Sequence, residues 1–245
     1  MRTDRDFVRT GASTAIGDAG MAATSHPAAT LAAVEILRAG GNAVDGAIAA
    51  VAMQCVVDPL MTGIGGDCFA LYAPKGGMPI ALNGSGRTAR AAEIAWFRDQ
   101  GIDVIHDRSV HAVTVPGAVD AWCRLSEDYG SLPLAKVLAP ASRAAEEGYR
   151  VTPRVAHDWA ANAERLSHDA GAMKAFLIDG RAPRAGEKMA HPALGATLRQ
   201  IGAAGRAGFY EGAAAAEITS LLGDRGGLLD RDDFAAHSST YVTPI

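Results

Sequence analysis

Apolar residues recur at helical spacing along most of the chain, most densely between residues 43 and 57. The positions that keep this spacing are Val44, Ile48, Val51 and Cys55. Alanines fill the gaps between them, which indicates a helix packed closely on several sides. Gly40 and Gly41 end the helix before it, and Asp58-Pro59 ends this one because proline disfavours the α conformation of the preceding residue.

The same periodicity predicts the remaining elements of a mixed α/β chain. Residues 1–22 are expected to be a loosely held arm, with 1–20 least tied down, that leads into a strand. Two short strands, the first at 68–72, precede a loop at 82–89, and a third strand is expected at 111–116. Helices are predicted from Pro27, over 90–100, Ala118–Tyr129 and Leu134–Glu147, from Pro153 to about His168, from Pro192, towards Leu222 and over 230–236, with an extended segment from Tyr241.

The first helix has a recognisable start and a predicted buried face. Thr24-Ser25-His26-Pro27 supplies a hydroxyl to cap free amides and a proline suited to the first turn. Leu31, Val34 and Leu37 mark the side expected to be buried. His26 could act as a base, but a histidine beside a helix cap is more often structural.

The glycine-rich turn GIGGDC, residues 63–68, could suggest nucleotide binding. It lacks the third glycine of the dinucleotide fingerprint, and it follows a helix and precedes a strand, the reverse of the required order. We therefore expect these glycines to allow a tight bend and close backbone contact. A second glycine- and proline-broken region, 170–189 with a short helical piece at 173–176, is expected to lie at the entrance of a site.

Composition narrows the classes of function. The 245 residues are 49% hydrophobic and 20% charged, as in a globular protein with a sizeable core, and we expect one domain over 1–245. A net charge of -4 gives no basic surface for nucleic acid or anionic membranes. The first 20 residues contain no apolar signal sequence, so we expect a cytoplasmic protein with no membrane span.

Cysteine and histidine patterns do not predict a cofactor. The three cysteines, Cys55, Cys68 and Cys123, are widely spaced in apolar sequence and are expected to be reduced and buried. His106 and His111 form at most a weak metal pair and are expected in a surface loop. His157, Asp158 and His168 are interpreted as a solvated helix face. No metal or organic cofactor is expected.

Several motifs in order resemble the gamma-glutamyltransferase family of Ntn hydrolases. They are GGNAVDGAIA, then DP and TGIGGDCFALY, then LNGSGR, and finally TVPGAVDAW. The resemblance runs from about Gly20 to the last residue and covers the large-subunit half. It implies the N-terminal part of an αββα sandwich, hence an incomplete domain that needs a small subunit or missing C-terminal half as its partner.

The resemblance also implies a mechanism whose central group is not in this sequence. The family cleaves itself and uses the newly freed N-terminal threonine of the small subunit to attack a γ-glutamyl amide. No threonine here lies in such a cleavage sequence. Ser238-Ser239-Thr240 is the nearest hydroxyl cluster, but it aligns with an ordinary linker. No catalytic residue is therefore predicted within this chain.

One substrate-binding role can be carried over. An arginine of the family's large subunit holds the substrate α-carboxylate, and the best match in this sequence is Arg87. Ser85 and Asn83 are the residues expected to help orient the substrate. A guanidinium can meet a carboxylate with two charge-assisted hydrogen bonds. The extra small residues before Arg87, and an arginine at position 90 where many members have proline, weaken the implied glutamyl preference. The plain alternative is that Arg87 is an exposed loop cation.

The sequence is consistent with three hypotheses about the function. The first is hydrolysis or transfer of a γ-glutamyl group from glutathione-like amides. The second keeps the fold but acts as an amidohydrolase or acylase on another small acidic amide. The third is a catalytically inactive fragment or subunit, and on any reading the 245-residue chain alone is expected to be inactive and poorly soluble. A serine hydrolase is disfavoured because GxSxG does not occur.

Overall fold

The computed structural model describes residues 14–244. Most of the predicted N-terminal arm, residues 1–13, lies outside the described residues. Residues 14–26 contain no helix or strand, so the strand predicted to follow the arm is wrong. Of the described residues, no helix is long and apolar enough to cross a bilayer.

Helices make up most of the described chain, and their order follows the predicted order closely. Their bounds are α1 Pro27–Arg38, α2 Ala43–Val57, α3 Ile94–Asp99, α4 Ala118–Tyr129, α5 Leu134–Glu147, α6 Pro153–Ser167, α7 Ala170–Phe176, α8 Pro192–Ala204, α9 Ala207–Tyr210, α10 Ala213–Asp224 and α11 Arg231–Ala236. The strands are β1 Cys68–Tyr72, β2 Ile80–Gly84, β3 Tyr149–Arg150, β4 Lys188–Met189 and β5 Thr240–Val242. The predicted mixed α/β class is confirmed.

Helix α2 forms the centre of the core. It packs between α1, α4 and α5, and most of its residues are buried, as the alanine-rich pattern predicts. Asn42 caps it through its side-chain oxygen, and the Asp45 carboxylate accepts the Asn42 amide, which completes a capping box. Asp45 also accepts the Ser131 amide at 3.0 Å, so the cap ties α2 to the loop after α4.

The buried face of α1 differs from the prediction. Leu31 is 55% exposed, and the buried positions are mainly alanines: Ala29, Ala32, Ala33 and Ile36. Alanines let α1 lie close against α2, and the larger leucines are left at the flank of the contact. The cap also differs, since the His26 imidazole, not a hydroxyl, accepts the Ala28 amide at 3.2 Å.

One three-stranded antiparallel sheet carries the order β1-β2-β5. One of its faces packs on the helices through Leu82, which is 3% exposed. On the opposite face Phe69 and Leu71 are 69% and 70% exposed, with Val242 beside them. Residues 14–244 thus supply this sheet with its helical layer and a short antiparallel pair, β3 with β4, while the second large sheet of an αββα sandwich is not formed among them.

Residues 111–116 do not form the predicted strand. Val110–Ala112 is a turn of 3₁₀ helix, and the extended residues after it lie beside the loop that follows β2. That loop offers a single ladder-like hydrogen bond, from the Val115 amide to the Arg87 carbonyl at 2.9 Å. Alternating apolar residues therefore gave an extended backbone without a strand partner. His111 packs its ring against Trp96 and Phe97.

Buried histidines predict a pH-dependent stability. Burial lowers the pKa of His26, His191 and His237 from the ordinary value of 6.5, so the unfolded chain binds more protons than the folded one below that pH. Stability is expected to be complete above about pH 6.5 and to fall as the pH drops through the lowered folded pKa values. Urea unfolding at a series of pH values measures this.

A conservative variant measures the contribution of His26 to this pH dependence of stability. Asn is a good N-cap and does not titrate, so His26→Asn keeps an acceptor for the Ala28 amide and removes one protonation step. The variant should lose less stability than the parent on acidification. Identical pH dependence of the two proteins would contradict the assignment.

Candidate functional site

The predicted substrate-binding residues lie together at the end of β2. Asn83 is within the strand and pairs with Phe69 on one side and Thr240 on the other. Ser85 follows the strand and is exposed, and Arg87 is exposed two residues later. The Asn83 side-chain oxygen accepts the Ser85 amide at 2.9 Å, which closes a local turn and leaves the amide nitrogen of Asn83 available.

Close backbone contact fixes the loop that carries Arg87. A Cβ on Gly86 would lie 2.0 Å from the Val115 carbonyl oxygen, and a Cβ on Gly117 would lie 2.0 Å from the Gly84 oxygen. Only glycine allows these approaches. The Arg87 loop is therefore packed directly onto the segment that begins α4.

The glycine-rich turn of residues 62–67 is fixed to the same place. The Gly66 carbonyl accepts the amides of Gly117 and Ala118 at 3.0 and 2.9 Å, and the Asp67 carboxylate accepts the Gly86 amide at 2.7 Å. The first amides of α4 are thus occupied by protein. The turn holds backbone against backbone, in agreement with the rejection of a phosphate loop.

A buried carboxylate connects the start of α4 to two other segments of the chain. Asp120, in the first turn of α4, accepts the Arg206 Nε at 2.8 Å and the Ser239 amide at 2.6 Å. Arg206 is further anchored by the carbonyls of Ala235 and His237 at 2.8 and 2.5 Å. One ion pair therefore connects α4, α9 and the segment that enters β5.

Tyr210 completes the support. Its hydroxyl donates to the Pro116 carbonyl at 2.5 Å and accepts the Asp120 amide at 3.0 Å. Burial raises the pKa of this phenol well above its usual range, so it remains a donor. His237, 2% exposed, stacks on the Tyr210 ring at 5.7 Å.

The hydroxyl cluster at 238–240 is placed next to the site. Ser239 is buried against Gly84, and Thr240 is an exposed residue that starts β5 beside Asn83. The backbone of Ser239 is used structurally through Asp120. Ser238 and Ser239 precede β5, and Thr240 is the first residue of that strand.

The exposed groups of the site suit a carboxylate. Arg87 makes no ion pair, and the Ser85 hydroxyl and Asn83 amide nitrogen make no hydrogen bond, with any residue in 14–244. Guanidinium, hydroxyl and carboxamide can all donate to a carboxylate. Across the described part of the chain no three His, Cys, Asp or Glu side chains are grouped so as to hold a metal ion.

The region at 170–194 borders a separate cleft of about 510 Å³. Its lining includes Thr62, Ile64, Lys174, Phe176 and His191. The predicted short helix at 173–176 is the longer α7, Ala170–Phe176. The cleft is mainly apolar, and it adjoins the same glycine-rich turn that ends at Asp67.

The sequence did not reveal the supporting residues. Asp120 and Arg206 are 86 positions apart, and Asp120 and Ser239 are 119 apart. No local pattern connects such residues. The one available signal was Arg90, because many family members have proline at that position. The Arg90 Nε donates to the Asp233 carboxylate at 3.0 Å, and this ion pair fixes the start of α11 to the end of the loop after β2.

The three cysteines lie on elements that border the site: Cys55 in α2, Cys68 at the start of β1 and Cys123 in α4. All three are free; Cys55 and Cys123 are buried, and Cys68 is half-buried. Burial raises the pKa of the Cys55 and Cys123 thiols to about 12, which leaves them protonated and unreactive.

Known proteins share both the sequence and the fold. Over 231 residues the chain is 36% identical to the oxamate amidohydrolase proenzyme of Klebsiella pneumoniae, covering 92% of this chain and 44% of that protein. It is also 36% identical to the glutathione hydrolase-like YwrD proenzyme of Bacillus subtilis, covering 94% and 44%. The chain thus spans less than half the length of these relatives.

The structural comparison gives the same grouping. The gamma-glutamyltranspeptidase of Helicobacter pylori superposes with a TM-score of 0.89 at 28% identity, over 95% of this chain and 68% of that one. The gamma-glutamyltranspeptidase family model matches residues 29–245. The chain therefore belongs to the gamma-glutamyltranspeptidase family and forms the N-terminal part of its Ntn-hydrolase fold.

Proposed function

We propose that the complete protein hydrolyses or transfers a γ-glutamyl group, and that Arg87 holds the α-carboxylate of the substrate. The observation that carries the proposal is an exposed guanidinium on a rigid loop, without a partner among the described residues and with Ser85 and Asn83 beside it. The relatives' names include a glutathione hydrolase-like protein. Glutathione carries a γ-glutamyl amide with a free α-carboxylate.

The reacting groups belong to the partner half of the protein. An N-terminal threonine hydroxyl would attack the amide carbonyl while its own α-amine accepts the hydroxyl proton; that proton would pass to the departing nitrogen as the C–N bond breaks, which leaves an ester and a free amine. Water or an amino acceptor would then take the acyl group. This chain contributes binding and position, since none of its own hydroxyls is proposed as the nucleophile.

The proposal predicts a selective effect of Arg87→Ala in the complete protein. Loss of a charge-assisted anchor costs about 1.5–3 kcal/mol, roughly a ten- to hundredfold rise in KM for a γ-glutamyl anilide. The thermal midpoint should not change, because Arg87 is exposed and its side chain bonds to no described residue. Steady-state kinetics and thermal unfolding of the same preparation measure both.

Two further variants sharpen the test. Arg87→Lys keeps the charge but loses the planar fork, so its KM should lie between those of the parent and Arg87→Ala. Arg108→Ala removes another exposed arginine, one outside the site, and should leave KM unchanged. An unchanged KM in Arg87→Ala would remove the carboxylate-binding role.

A second candidate is an amidohydrolase for a small acidic amide without an amino group. The oxamate amidohydrolase relative favours it, because oxamate also places a carboxylate beside an amide. Arg87 would serve both substrates alike. The two candidates differ in whether the site must also accept an ammonium group, and the turnover of a γ-glutamyl anilide relative to simple acidic amides separates them.

A further inference from the structure

The cleft of about 510 Å³ beside the glycine-rich turn has a distinctive lining. Pro59 and Ile64 form an apolar wall on the side of the turn, and Phe176 and Leu194 form one on the side of α7 and α8. Among the residues in 14–244 that line the cleft, none is Asp or Glu, and Lys174 is the only lysine or arginine. Clefts of this size, mainly apolar with a few polar groups, are typical of sites for small molecules.

An aromatic wall is fixed on the α7 side of the cleft. The Phe176 ring lies 5.6 Å from the His191 ring and 6.3 Å from the fully buried Trp159 ring. The Tyr149 hydroxyl lies 3.2 Å from His191 Nε2, and the His191 amide donates to the Ala145 carbonyl at 2.7 Å. Burial lowers the pKa of His191, so this ring is uncharged at neutral pH. Rings held in this way favour contact with a flat aromatic group.

Lys174 brings an uncompensated positive charge to the same cleft. It is exposed, and it makes no ion pair or hydrogen bond with any residue in 14–244. The positions three and four residues before and after it carry no acid. Asp169, at the start of α7, is already engaged by Arg225 at 2.7 Å and by the Ala172 amide at 2.8 Å. The charge of Lys174 therefore suits a carboxylate bound in the cleft.

The glycine-rich turn connects this cleft to the proposed carboxylate anchor. Ile64 lines the cleft, and Asp67 accepts the amide of Gly86, the residue before Arg87, at 2.7 Å. Three residues of fully extended chain span at most about 11 Å, so the cleft and the Arg87 loop are close neighbours. In an amide whose acid part is held by Arg87, the amine part is at the other end of the molecule and can reach the cleft.

We propose that the cleft binds the amine part of the amide substrate and selects an aromatic amine that carries a carboxylate. The ring would lie against Phe176, and the carboxylate would face Lys174. The inference rests on the proposed function for its amide substrate, and it assigns the choice of leaving group to α7, outside the loop that carries Arg87. A small aliphatic amine would leave the cleft unfilled.

Three γ-glutamyl amides test this in the complete protein: the methylamide, the 4-nitroanilide and the 3-carboxy-4-nitroanilide, each followed by release of glutamate. Because the three amines differ in reactivity, each variant is compared with the parent on each substrate. Ala175→Phe adds a ring at an exposed position that lines the cleft. It should lower kcat/KM for the two anilides about tenfold more than for the methylamide.

A second variant tests the charge. Lys174→Gln should lower the ratio of kcat/KM for the carboxylated anilide over the plain anilide by about two- to fivefold, as for an exposed ion pair. Lys174→Arg should keep that ratio. Lys75→Gln, at another exposed lysine that does not line the cleft, should also keep it. A ratio that Lys174→Gln leaves unchanged would overturn the role of Lys174.

Controls separate the cleft from the anchor. Met173→Phe adds the same ring to α7 at an exposed position that does not line the cleft, so it should change none of the three substrates. Arg87→Ala should lower kcat/KM for all three alike. If Arg87→Ala does so while Ala175→Phe does not distinguish anilides from methylamide, the cleft is not the amine site and the function proposed for Arg87 stands.

Binding of the free amine tests the cleft without any reaction. The complete protein is titrated calorimetrically with 5-amino-2-nitrobenzoate, the amine released from the carboxylated anilide. Binding that weakens in Ala175→Phe and Lys174→Gln and persists in Arg87→Ala supports the cleft even if γ-glutamyl hydrolysis is absent. No binding, or binding that Ala175→Phe leaves unchanged, overturns the proposal, as it would if the rest of the chain filled the cleft.

Discussion

Gly117→Ala is expected to destabilise the complete protein by about 3 kcal/mol, near the upper end for an overpacked position. The added methyl group would lie 2.0 Å from the Gly84 oxygen and 2.8 Å from its carbonyl carbon, which are backbone atoms and cannot rotate away. Backbone strain is not the cause, since Gly117 has φ -94° and ψ -21°, which any residue adopts. Denaturant unfolding measures the loss.

Gly65→Ala is the matched control for this steric argument. It lies in the neighbouring glycine-rich turn, and a Cβ there would meet nothing within 4 Å. Its effect should stay within about 0.5 kcal/mol, as for an ordinary surface change. If the two alanine variants are equally stable, the loop after β2 does not pack on α4 as described.

Asp120→Ala is the second large effect we expect, a loss of about 3 kcal/mol in the free energy of unfolding. The change leaves the Arg206 Nε and the buried Ser239 amide without their acceptor. The estimate is at the lower end for a broken buried ion pair because the Arg206 side chain is still 27% exposed. Thermal and denaturant unfolding both report on it.

A surface ion pair provides the comparison. Asp107 and Arg165 lie 3.7 Å apart with both side chains mostly exposed, so Asp107→Ala should cost at most about 1 kcal/mol. Asp120→Ala should also disturb the segment that enters β5, because the Ser239 amide in that segment loses its acceptor. Similar losses in the two variants would mean that Asp120 is no more important than a surface charge.

Local chemistry was enough to predict most of the helices. Pro153 begins a helix and Tyr129 ends one as predicted, and the alanine-rich α2 is buried on several sides as its pattern predicts. These features depend on residues within one turn of each other. The position of Arg87 after the second strand followed from the family motif and the strand pattern together.

What failed depended on distant partners. The spacing of Leu31, Val34 and Leu37 is correct for a buried face, but α2 approaches α1 on its alanine side. Residues 111–116 have strand-like alternation and lack a strand to pair with. The acceptors that Asp67 and Asp120 provide lie on segments brought together only by folding, so no window of sequence contains both donor and acceptor.

The open face of the β1-β2-β5 sheet, with Phe69 and Leu71 outward, has a consequence during synthesis. If the complete protein has the length of its relatives, which this chain covers to 44%, then translation of the remaining ~280 residues at about 5–20 residues per second takes roughly 14–56 s. A nascent chain would present an apolar sheet and an unpaired strand edge to its surroundings for that time. Such exposed surface would make the unfinished chain prone to aggregate until the residues that cover it are made.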